Sequence, residues 1–223
     1  MDDKKFVKAY KEDAKYYKTE KEVESIKLLN LRKESSLLDI GAGVGRLTLP
    51  LSKYFEVTAL DVDERLIKEV RLGKIKKVGL EVLDYFPENK FSIVLLAYPN
   101  FGPDANVNKI IRHIKDNLLR KNGKLILIMG CDKSGKSKWL SDYKRKLNPY
   151  FKKISESFIE TGYFYKNFKI AYDSTKFRDE VFRRKKLTNK DLNQLRLSLE
   201  NNKDKNGNIY IPAFVKVMLY KIK

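Results

Sequence analysis

A short apolar segment that runs into three glycines constrains this chain more than any other feature. Residues 37–46 read LLDIGAGVGR, with Gly41, Gly43 and Gly45 between the apolar run and a predicted helix. Glycine is favoured where a turn is tight and where the backbone must approach a ligand closely. Amide groups at the start of the following helix favour a negatively charged ligand group. The segment therefore predicts a strand–loop–helix unit that holds a ligand at its loop.

After this loop, predicted strands and helices alternate along the chain. Apolar strands are predicted at 55–60, 78–83, 91–97 and 124–129, with helices at 46–54, 64–72 and 104–119 between them. Short apolar strands separated by helices indicate parallel βαβ units that are covered on both faces. We therefore expect an α/β fold, Rossmann-like and doubly wound, with a mostly parallel seven-stranded sheet and helices on both faces.

The second half of the chain has a different character. Residues 150–186 are aromatic and basic, and stretches such as 168–172 (FKIAY) alternate in polarity, so we expect a small β-rich lid there. Thr188 and Asp191 have the spacing of a capping box, which opens a helix. A turn at Asn206-Gly207 then leads into a predicted final strand.

Positive charge is concentrated in this second half. The chain has 48 Lys and Arg against 29 Asp and Glu, a formal net charge of +19. Residues 1–108 hold 19 basic and 18 acidic side chains, whereas residues 109–223 hold 29 and 11. Basic side chains interleaved with aromatic ones are typical of surfaces that bind nucleic acids or other polyanions. Lys-rich faces that only aid solubility are the alternative.

The scarcity of cysteine and histidine excludes several kinds of site. Because Cys131 and His113 are the only residues of their types, the sequence excludes a disulfide framework and a cysteine-rich zinc site within one chain, and a Ser-His-Asp triad is poorly supported. We expect no metal, an apolar role for Cys131 at a strand end, and a surface position for His113 on a helix. No apolar run reaches the roughly 18–20 residues needed to span a bilayer, so we expect a cytoplasmic protein without a membrane partner.

An acidic residue follows the second predicted strand of the alternating region. Asp61 lies where acidic residues of Rossmann-type folds contact ribose hydroxyls. With it in place, LLDIGAGVGR and VTALDVDE resemble the first two motifs of class I S-adenosylmethionine-dependent methyltransferases. EVLDYFPENKFSIVLLAYPNFG resembles the third and fourth motifs, and LLRKNGKLILIM the strand that follows. The resemblance covers roughly residues 16–130 and extends more faintly into LTNKDLNQLRLSLE and IPAFVKVMLYKIK in the tail.

The resemblance implies how the cofactor S-adenosylmethionine is held. Gly41, Gly43 and Gly45 would hold its methionine end, with Asp39 nearby, and Asp61 would bind the ribose hydroxyls. S-adenosylhomocysteine is then the product.

The resemblance also implies contacts to the adenine end. Val62 would lie beside the ribose contact, and an acidic residue after the third strand would accept the adenine amino group. An ungapped alignment with the family motif places Glu81, next to Val82, at this position. The alternation of apolar residues in the predicted strand at 78–83 favours Asp84 instead. Tyr16 lies where the N-terminal helix of such enzymes closes over the cofactor.

In the family, the residues that follow the fourth strand line the acceptor pocket. The corresponding candidates in this chain are Tyr98, Asn100 and Phe101. The segment YPNF is not the (D/N/S)-P-P-(Y/F) motif of nucleic-acid N-methyltransferases, and the Pro-Cys nucleophile of C5-type enzymes is absent. PNFG resembles instead a turn of small-molecule methyltransferases. No catalytic base is identified, because proximity alone can supply most of the acceleration of methyl transfer.

On this basis we expect a single methyltransferase domain of residues 1–223. It would comprise an N-terminal helical cap at 1–33, a cofactor-binding core at 34–130, a β-rich lid or acceptor flap at about 150–187, and a final helix and strand at 188–223. A continuous helix is expected over 4–31 in the cap.

Two other nucleotide-binding folds compete with this interpretation. The glycines follow GxGxG, so the GxGxxG fingerprint of NAD-binding domains is absent. Residues 130–137 (GCDKSGKS) match the GxxxxGK(S/T) pattern of phosphate-binding loops. Such a loop normally opens its domain and is followed by a Mg²⁺-binding Asp, and neither holds here.

The function expected from the sequence is methyl transfer from S-adenosylmethionine to a small, anionic acceptor. The alternative is an RNA or ribosome-associated methyltransferase that docks through the basic second half. A non-catalytic binding module or a P-loop nucleotide binder ranks below both. The identity of the acceptor and the oligomeric state stay open.

Overall fold

The structure is a computed structural model, which describes residues 3–71, 74–102 and 104–223. Its elements, in chain order, are α1 (Asp3–Tyr16), β1 (Tyr17–Lys18), α2 (Glu20–Lys27), β2 (Ser36–Ile40), α3 (Thr48–Leu51), β3 (Glu56–Leu60), α4 (Glu64–Ile67), β4 (Lys76–Val78), a 3₁₀ turn (Val82–Asp84), β5 (Phe91–Ala97), α5 (Val107–His113) with a π-helical turn (Ile114–Leu118), β6 (Leu119–Cys131), α6 (Lys138–Leu147), β7 (Phe151–Tyr165), α7 (Phe168–Arg183), α8 (Asn189–Asn201) and β8 (Ile209–Ile222).

The described residues form two compact units. The larger comprises residues 19–160 and 214–223, and the smaller comprises residues 3–18 and 161–213. The predicted helical cap is divided between the two units after Lys18, most of the predicted lid and the final helix lie in the smaller unit, and the glycine segment lies in the larger.

The larger unit contains a mostly parallel sheet with strand order β7–β8–β6–β5–β2–β3–β4. Strands β6, β5, β2, β3 and β4 are parallel to their neighbours, and β8 is antiparallel to β6. Parallel neighbours end at the same edge of a sheet, so the loops after β2, β3, β5 and β6 emerge side by side. The sheet has eight strands rather than seven, because the two-residue β1 of the smaller unit pairs with the end of β7.

Alternating side chains of the parallel strands enter two apolar cores, one on each face. Leu38 and Val94 pack with residues of α5 and α6, whereas Leu37 and Ile93 pack with residues of α2 and α3. This two-faced burial explains why the strands read as continuous apolar runs, and it confirms the predicted doubly wound α/β architecture.

Several predicted elements are confirmed. The strands after the glycine loop and at 91–97 form as expected, and Asp63 caps α4 by accepting a hydrogen bond from the Arg65 amide. Thr188 and Asp191 form a reciprocal capping box at the start of α8. The final strand begins at Ile209, directly after the turn at Gly207.

Other boundaries were wrong. The helix expected over 4–31 is two helices, interrupted where Tyr17 and Lys18 pair with β7. The helix expected over 64–72 ends at Ile67 as a regular α-helix, and residue 72 lies outside the described residues. The strand expected over 78–83 ends at Val78, because a 3₁₀ turn begins four residues later.

The β-rich lid was predicted correctly only in part. Residues 151–165 form one long strand, but the alternating stretch at 168–172 belongs to the helix α7. Asn167 caps this helix by accepting from the Ile170 amide, and its buried residues recur at helical spacing: Ala171, Ser174, Thr175, Arg178 and Val181. Five residues of alternation are too few to distinguish the two periods, and the cap decides for the helix.

Candidate functional site

The glycine loop leaves β2 through three residues with left-handed backbone. Gly41, Gly43 and Gly45 have φ of 77°, 55° and 85°, a region that other residues adopt only with strain. The amides of Gly41 and Ala42 both donate to the carbonyl of Leu60 at the end of β3, over 2.8 and 3.1 Å. These bonds fix the loop against the neighbouring strand, at the edge where the parallel strands end.

The glycines of this loop have different packing requirements. A Cβ at Gly41 would have no atom within 4 Å, so the space beside it is open. A Cβ at Gly45 would lie 3.0 Å from Cγ2 of Val70 and 3.2 Å from Cγ of Leu49. Gly45 is therefore needed for close packing inside the fold, whereas Gly41 faces room that a ligand could use.

Asp61 lies beside this loop, directly after β3. Its Oδ2 accepts a hydrogen bond from the Gly43 amide at 2.8 Å, and its Oδ1 accepts from the Asp63 amide at 2.9 Å. Burial raises the pKa of this carboxyl group, and the two amide donors oppose that rise. Val62, next to it, is 59% exposed.

Asp39 lies beneath the loop, at the end of β2. Its carboxyl group is buried, and Oδ2 accepts a hydrogen bond from the hydroxyl of Thr48 at 2.6 Å. Burial raises the pKa of Asp39 to about 6, with the Thr48 bond opposing the rise and the charge of Asp61 adding to it. Asp39 and Asp61 are thus two electrostatically coupled acids at adjacent strand ends.

The two candidates for the adenine contact lie on one short segment after β4. Val82 is buried, Glu81 and Asp84 are exposed, and the Asp84 amide donates to the Glu81 carbonyl at 3.0 Å. Glu81 precedes the 3₁₀ turn and Asp84 ends it. The strand rhythm that favoured Asp84 was wrong, because the segment is a turn, and the choice between the two acids stays a prediction.

Tyr98 leaves β5 at the same edge of the sheet. Its backbone is left-handed, with φ of 52°, and its amide donates to the Ile128 carbonyl of β6 at 2.8 Å. Its hydroxyl donates to Oε1 of Glu22, which is fully buried in α2, and the guanidinium of Arg46 lies 4.8 Å from the centre of its ring. The Tyr98 side chain is therefore held at its hydroxyl and at its ring, and its backbone is hydrogen-bonded to β6.

The other residues after β5 are less constrained. Asn100 is exposed and accepts from the Gly102 amide through Oδ1 at 3.3 Å, and Phe101 is partly buried against one of the two apolar cores. Tyr16 lies in the smaller unit, where its ring is 4.6 Å from that of Tyr165. The assignment of Tyr16 to the cofactor stays a prediction.

Three residues of this region were not among the sequence predictions. Arg46 directly follows the glycines and Thr48 lies two residues later, so proximity to the loop was a usable signal for both. Glu22 is 76 positions from Tyr98 and belongs to another element, so nothing in the sequence indicated their contact.

His113 was expected on a helix surface, and this was wrong. The residue is buried: Nε2 contacts the Tyr85 carbonyl at 3.1 Å, and Nδ1 contacts Nδ2 of Asn117 at 2.9 Å. Its ring edge also packs against Phe86. His113 has a structural role.

The segment resembling a phosphate-binding loop is closed by its own side chain. Oδ1 of Asp132 accepts from the amides of Ser134 and Lys136, both at 2.9 Å, and from the Ser134 hydroxyl at 2.7 Å. These hydrogen bonds lower the pKa of Asp132. A carboxylate thus takes amides that a phosphate-binding loop would offer to its ligand.

Comparisons with known proteins agree with this geometry. Residues 38–127, from β2 to β6, match the family described as methyltransferase domain. Among curated proteins, no sequence matches the chain.

Solved structures share the fold over nearly the whole chain. A provisionally assigned methyltransferase from Bacillus halodurans is 12% identical, with a TM-score of 0.61, over 90% of this chain and 98% of its own. The N-methyltransferase NodS from Bradyrhizobium japonicum, solved with S-adenosylhomocysteine, is 11% identical with a TM-score of 0.55, over 91% and 84%.

A third structure, a TehB-like S-adenosylmethionine-dependent methyltransferase from Corynebacterium glutamicum, is 16% identical with a TM-score of 0.53, over 91% of this chain and 87% of its own. At such identities the likeness concerns the fold, and the family match concerns the segment that holds the glycine loop and Asp61. Residues 38–127 of the chain therefore match a methyltransferase domain, within a fold that solved methyltransferases share.

Proposed function

We propose that this chain transfers the methyl group of S-adenosylmethionine to a small, anionic acceptor that binds beside Tyr98. The observation that carries the proposal is the hydrogen bond from the Gly43 amide to Asp61, which joins a left-handed glycine loop to an acid at the next strand end. The match of residues 38–127 to a methyltransferase domain supports the chemistry, and the side chains after β5 support the position of the acceptor.

The residues at this edge fit the proposed cofactor. A carboxylate has about four acceptor positions, and backbone amides use two of those on Asp61, which leaves two for the ribose hydroxyls. The open space at Gly41 suits the methionine end, and Glu81 or Asp84 would accept from the adenine amino group. When bound, the cofactor supplies an electrophilic methyl group on a sulfonium.

Tyr98 is positioned to orient the acceptor. Its hydroxyl proton is engaged by Glu22, so the lone pairs of its oxygen face any further partner as hydrogen-bond acceptors. A substrate held there would donate, as an amine or a hydroxyl does before methylation. The left-handed backbone of Tyr98 and the guanidinium over its ring limit its movement, and a fixed partner of this kind favours in-line approach.

The anionic character of the acceptor is inferred from charge. The excess of positive charge lies at 109–223, and the loop after β6 carries Lys133 and Lys136 at the sheet edge next to Tyr98. A negatively charged substrate would be attracted to this side of the edge, away from the acids Asp39 and Asp61.

The test is transfer of tritiated methyl from S-adenosylmethionine to a small-molecule extract that is then separated by anion exchange. We expect label in a retained, low-molecular-weight fraction. Tyr98→Phe should lower the transfer rate while cofactor affinity stays unchanged, and Asp61→Ala should abolish both. Cofactor binding without label in any fraction would instead indicate a non-catalytic binding module.

An RNA acceptor is the second candidate, because basic side chains in the second half are interleaved with exposed aromatic rings. The same assay with total RNA distinguishes it: acid-insoluble, ribonuclease-sensitive label would favour RNA over a small molecule.

A further inference from the structure

A stacked aromatic pair, one ring exposed and the other partly buried, lies beside the end of β6. Phe158 of β7 and Phe214 of β8 are stacked, with ring centres 5.8 Å apart and planes inclined by 2°. The side chain of Phe158 is 47% exposed, and Nζ of Lys133 lies 6.0 Å from the centre of the Phe214 ring. Phe214 is directly opposite Cys131, the last residue of β6. Two stacked rings and a cation therefore share one surface at the carboxyl end of this strand.

The loop after β6 packs onto this pair. A Cβ at Gly135 would lie 2.9 Å from Cε of Lys216 and 3.7 Å from Cδ2 of Phe158, so the loop backbone is close to both. The bonds from the Ser134 and Lys136 amides to Asp132 fix the loop. The side chains of Lys133 and Lys136 are exposed on this fixed backbone.

We refer to Lys133, Lys136, Trp139, Phe158 and Phe214 as the basic aromatic surface. Trp139, in the first turn of the helix that begins after this loop, is 65% exposed and is the only tryptophan of the chain.

The charge of this region is strongly positive even though it contains acids. Residues 132–158 include eight Lys and Arg against three Asp and Glu. Glu156 contacts the amines of Lys144, Lys153 and Lys216 at 2.6–3.0 Å, so this one acid is shared by three cations. Within the part of the chain that the structure describes, Lys133 and Lys138 form no ion pair.

Flat aromatic faces next to unpaired cations fit single-stranded nucleic acid better than they fit other anions. Bases of a single strand stack on aromatic side chains while lysines follow the phosphates, and such binding tolerates many sequences. A duplex hides its base faces, and a polyanion without bases gains nothing from the rings. We propose that the basic aromatic surface binds single-stranded nucleic acid, with bases on Phe158 and Phe214 and phosphates on Lys133 and Lys136.

The basic aromatic surface lies close to the sheet edge that carries the proposed methyltransferase site. β5 and β6 are parallel and in register from Ile93 opposite Lys124 to Ala97 opposite Ile128, so the loops that follow them are neighbours. A strand bound at Phe158 would therefore run next to the segment that contains Tyr98. Binding does not require the proposed methyl transfer, and loss of either property would leave the other intact.

Trp139 provides a direct test. The full chain is titrated with a single-stranded RNA of about 16 nucleotides, and tryptophan fluorescence is followed, with heparin as a polyanion that lacks bases. We expect RNA to quench the fluorescence. Phe158→Ala should lower RNA affinity about 5- to 100-fold and leave heparin affinity unchanged, while Phe158→Tyr should retain RNA affinity.

Salt dependence tests the phosphate contacts. The double variant Lys133→Gln/Lys136→Gln should reduce the slope of log affinity against log salt by about 1.4, because each phosphate contact to a single strand contributes about 0.7. Lys76→Gln/Lys77→Gln, two exposed positions on the far edge strand β4, is the matched control and should leave the slope unchanged. Absence of RNA binding at low salt would overturn the proposal. Equal loss of RNA and heparin affinity in Phe158→Ala, or equal affinity for duplex RNA, would also overturn it.

Discussion

The glycine-loop region and the basic aromatic surface lie at the same edge of one sheet but are built differently. Around Gly43 and Asp61, backbone amides and the Thr48 hydroxyl donate to one buried and one partly buried acid, between residues fewer than twenty positions apart. At Phe158 and Phe214 the contacts are between two stacked rings more than fifty positions apart and a lysine of the loop after β6. The first region suits a ligand of one defined shape, whereas the second suits a ligand recognised by charge and flat faces.

The largest expected effect is a difference between substitutions of Asp61 and Asp132, two aspartates at this sheet edge that both accept hydrogen bonds from backbone amides. Asp61→Ala should lower the affinity for S-adenosylhomocysteine about 1000-fold, because two charge-assisted hydrogen bonds to ribose are lost. Asp132→Ala, which opens the loop after β6, should leave that affinity unchanged. Isothermal titration calorimetry measures both, and a similar loss in the two variants would mean that the edge acts as one site.

Gly43→Val provides a second test of the same region. Valine at a φ of 55° is strained, and the amide that donates to Asp61 would move, so cofactor binding should be lost while the protein stays folded. Unchanged affinity in both Asp61→Ala and Gly43→Val would refute the assignment of the site.

The next effect concerns the pH dependence of stability. Because the pKa of Asp39 is raised to about 6 in the folded state, its contribution to stability is present below pH 4 and is lost as the pH rises through about 6. Asp39→Asn cannot ionise, so its unfolding free energy relative to the unsubstituted protein should increase by about 2–3 kcal/mol between pH 4 and pH 7.

Urea denaturation at the two pH values measures this difference. Thr48→Val removes a hydrogen bond that lowers the Asp39 pKa, so it should make the decline in stability with pH steeper. A difference between Asp39→Asn and the unsubstituted protein that does not change with pH would contradict the burial argument.

A smaller effect distinguishes strain from ligand contact. Gly41 and Gly207 have φ of 77° and 81°, and a Cβ at either would meet no atom within 4 Å. Alanine should therefore lower stability similarly at both positions, by about 1–2 kcal/mol. Only Gly41→Ala should also weaken binding of S-adenosylhomocysteine. If Gly207→Ala weakened it equally, Gly41 would be no more than a turn residue.

The smallest effect is expected at Glu156. Burial alone would raise its pKa, but hydrogen bonds from Lys153, Lys216 and Lys144 hold that pKa at about 2, so the carboxylate is charged at any working pH. Glu156→Gln should destabilise the protein by about 1 kcal/mol and strengthen RNA binding about 2- to 3-fold, because a negative charge beside the basic aromatic surface is removed.

Glu160→Gln, an exposed acid on the same strand, is the control for this prediction. Fluorescence titration measures the affinities and thermal unfolding measures the stability. RNA binding that does not respond to Glu156→Gln would place the nucleic acid elsewhere.

The contrast between the two regions also explains what could be predicted from the sequence. The meeting of Gly43 with Asp61 follows from strand ends and glycine spacing, and the capping box at Thr188 is a local pattern. The contact between Glu22 and Tyr98 depends on how helices pack on the sheet, so no local signal reports it. The helix at 168–183 was missed because five residues fit either period and the cap at Asn167 was overlooked.

The basic aromatic surface was even harder to predict from the sequence, because it depends on tertiary structure. Phe158 and Phe214 are unremarkable in sequence and acquire their role only from the register of β6 with β8 and from the approach of the loop at Gly135. The charge count showed that the basic excess lies in residues 109–223, but it did not indicate which lysines share a surface with aromatic rings.

The central claim is that the glycine loop and Asp61 hold S-adenosylmethionine. The most direct test is calorimetric titration of the unsubstituted protein with S-adenosylhomocysteine, NAD and ATP with Mg²⁺ under the same conditions. The account predicts one-to-one binding of S-adenosylhomocysteine and no binding of the other two. Binding of NAD or Mg·ATP without binding of S-adenosylhomocysteine would contradict it.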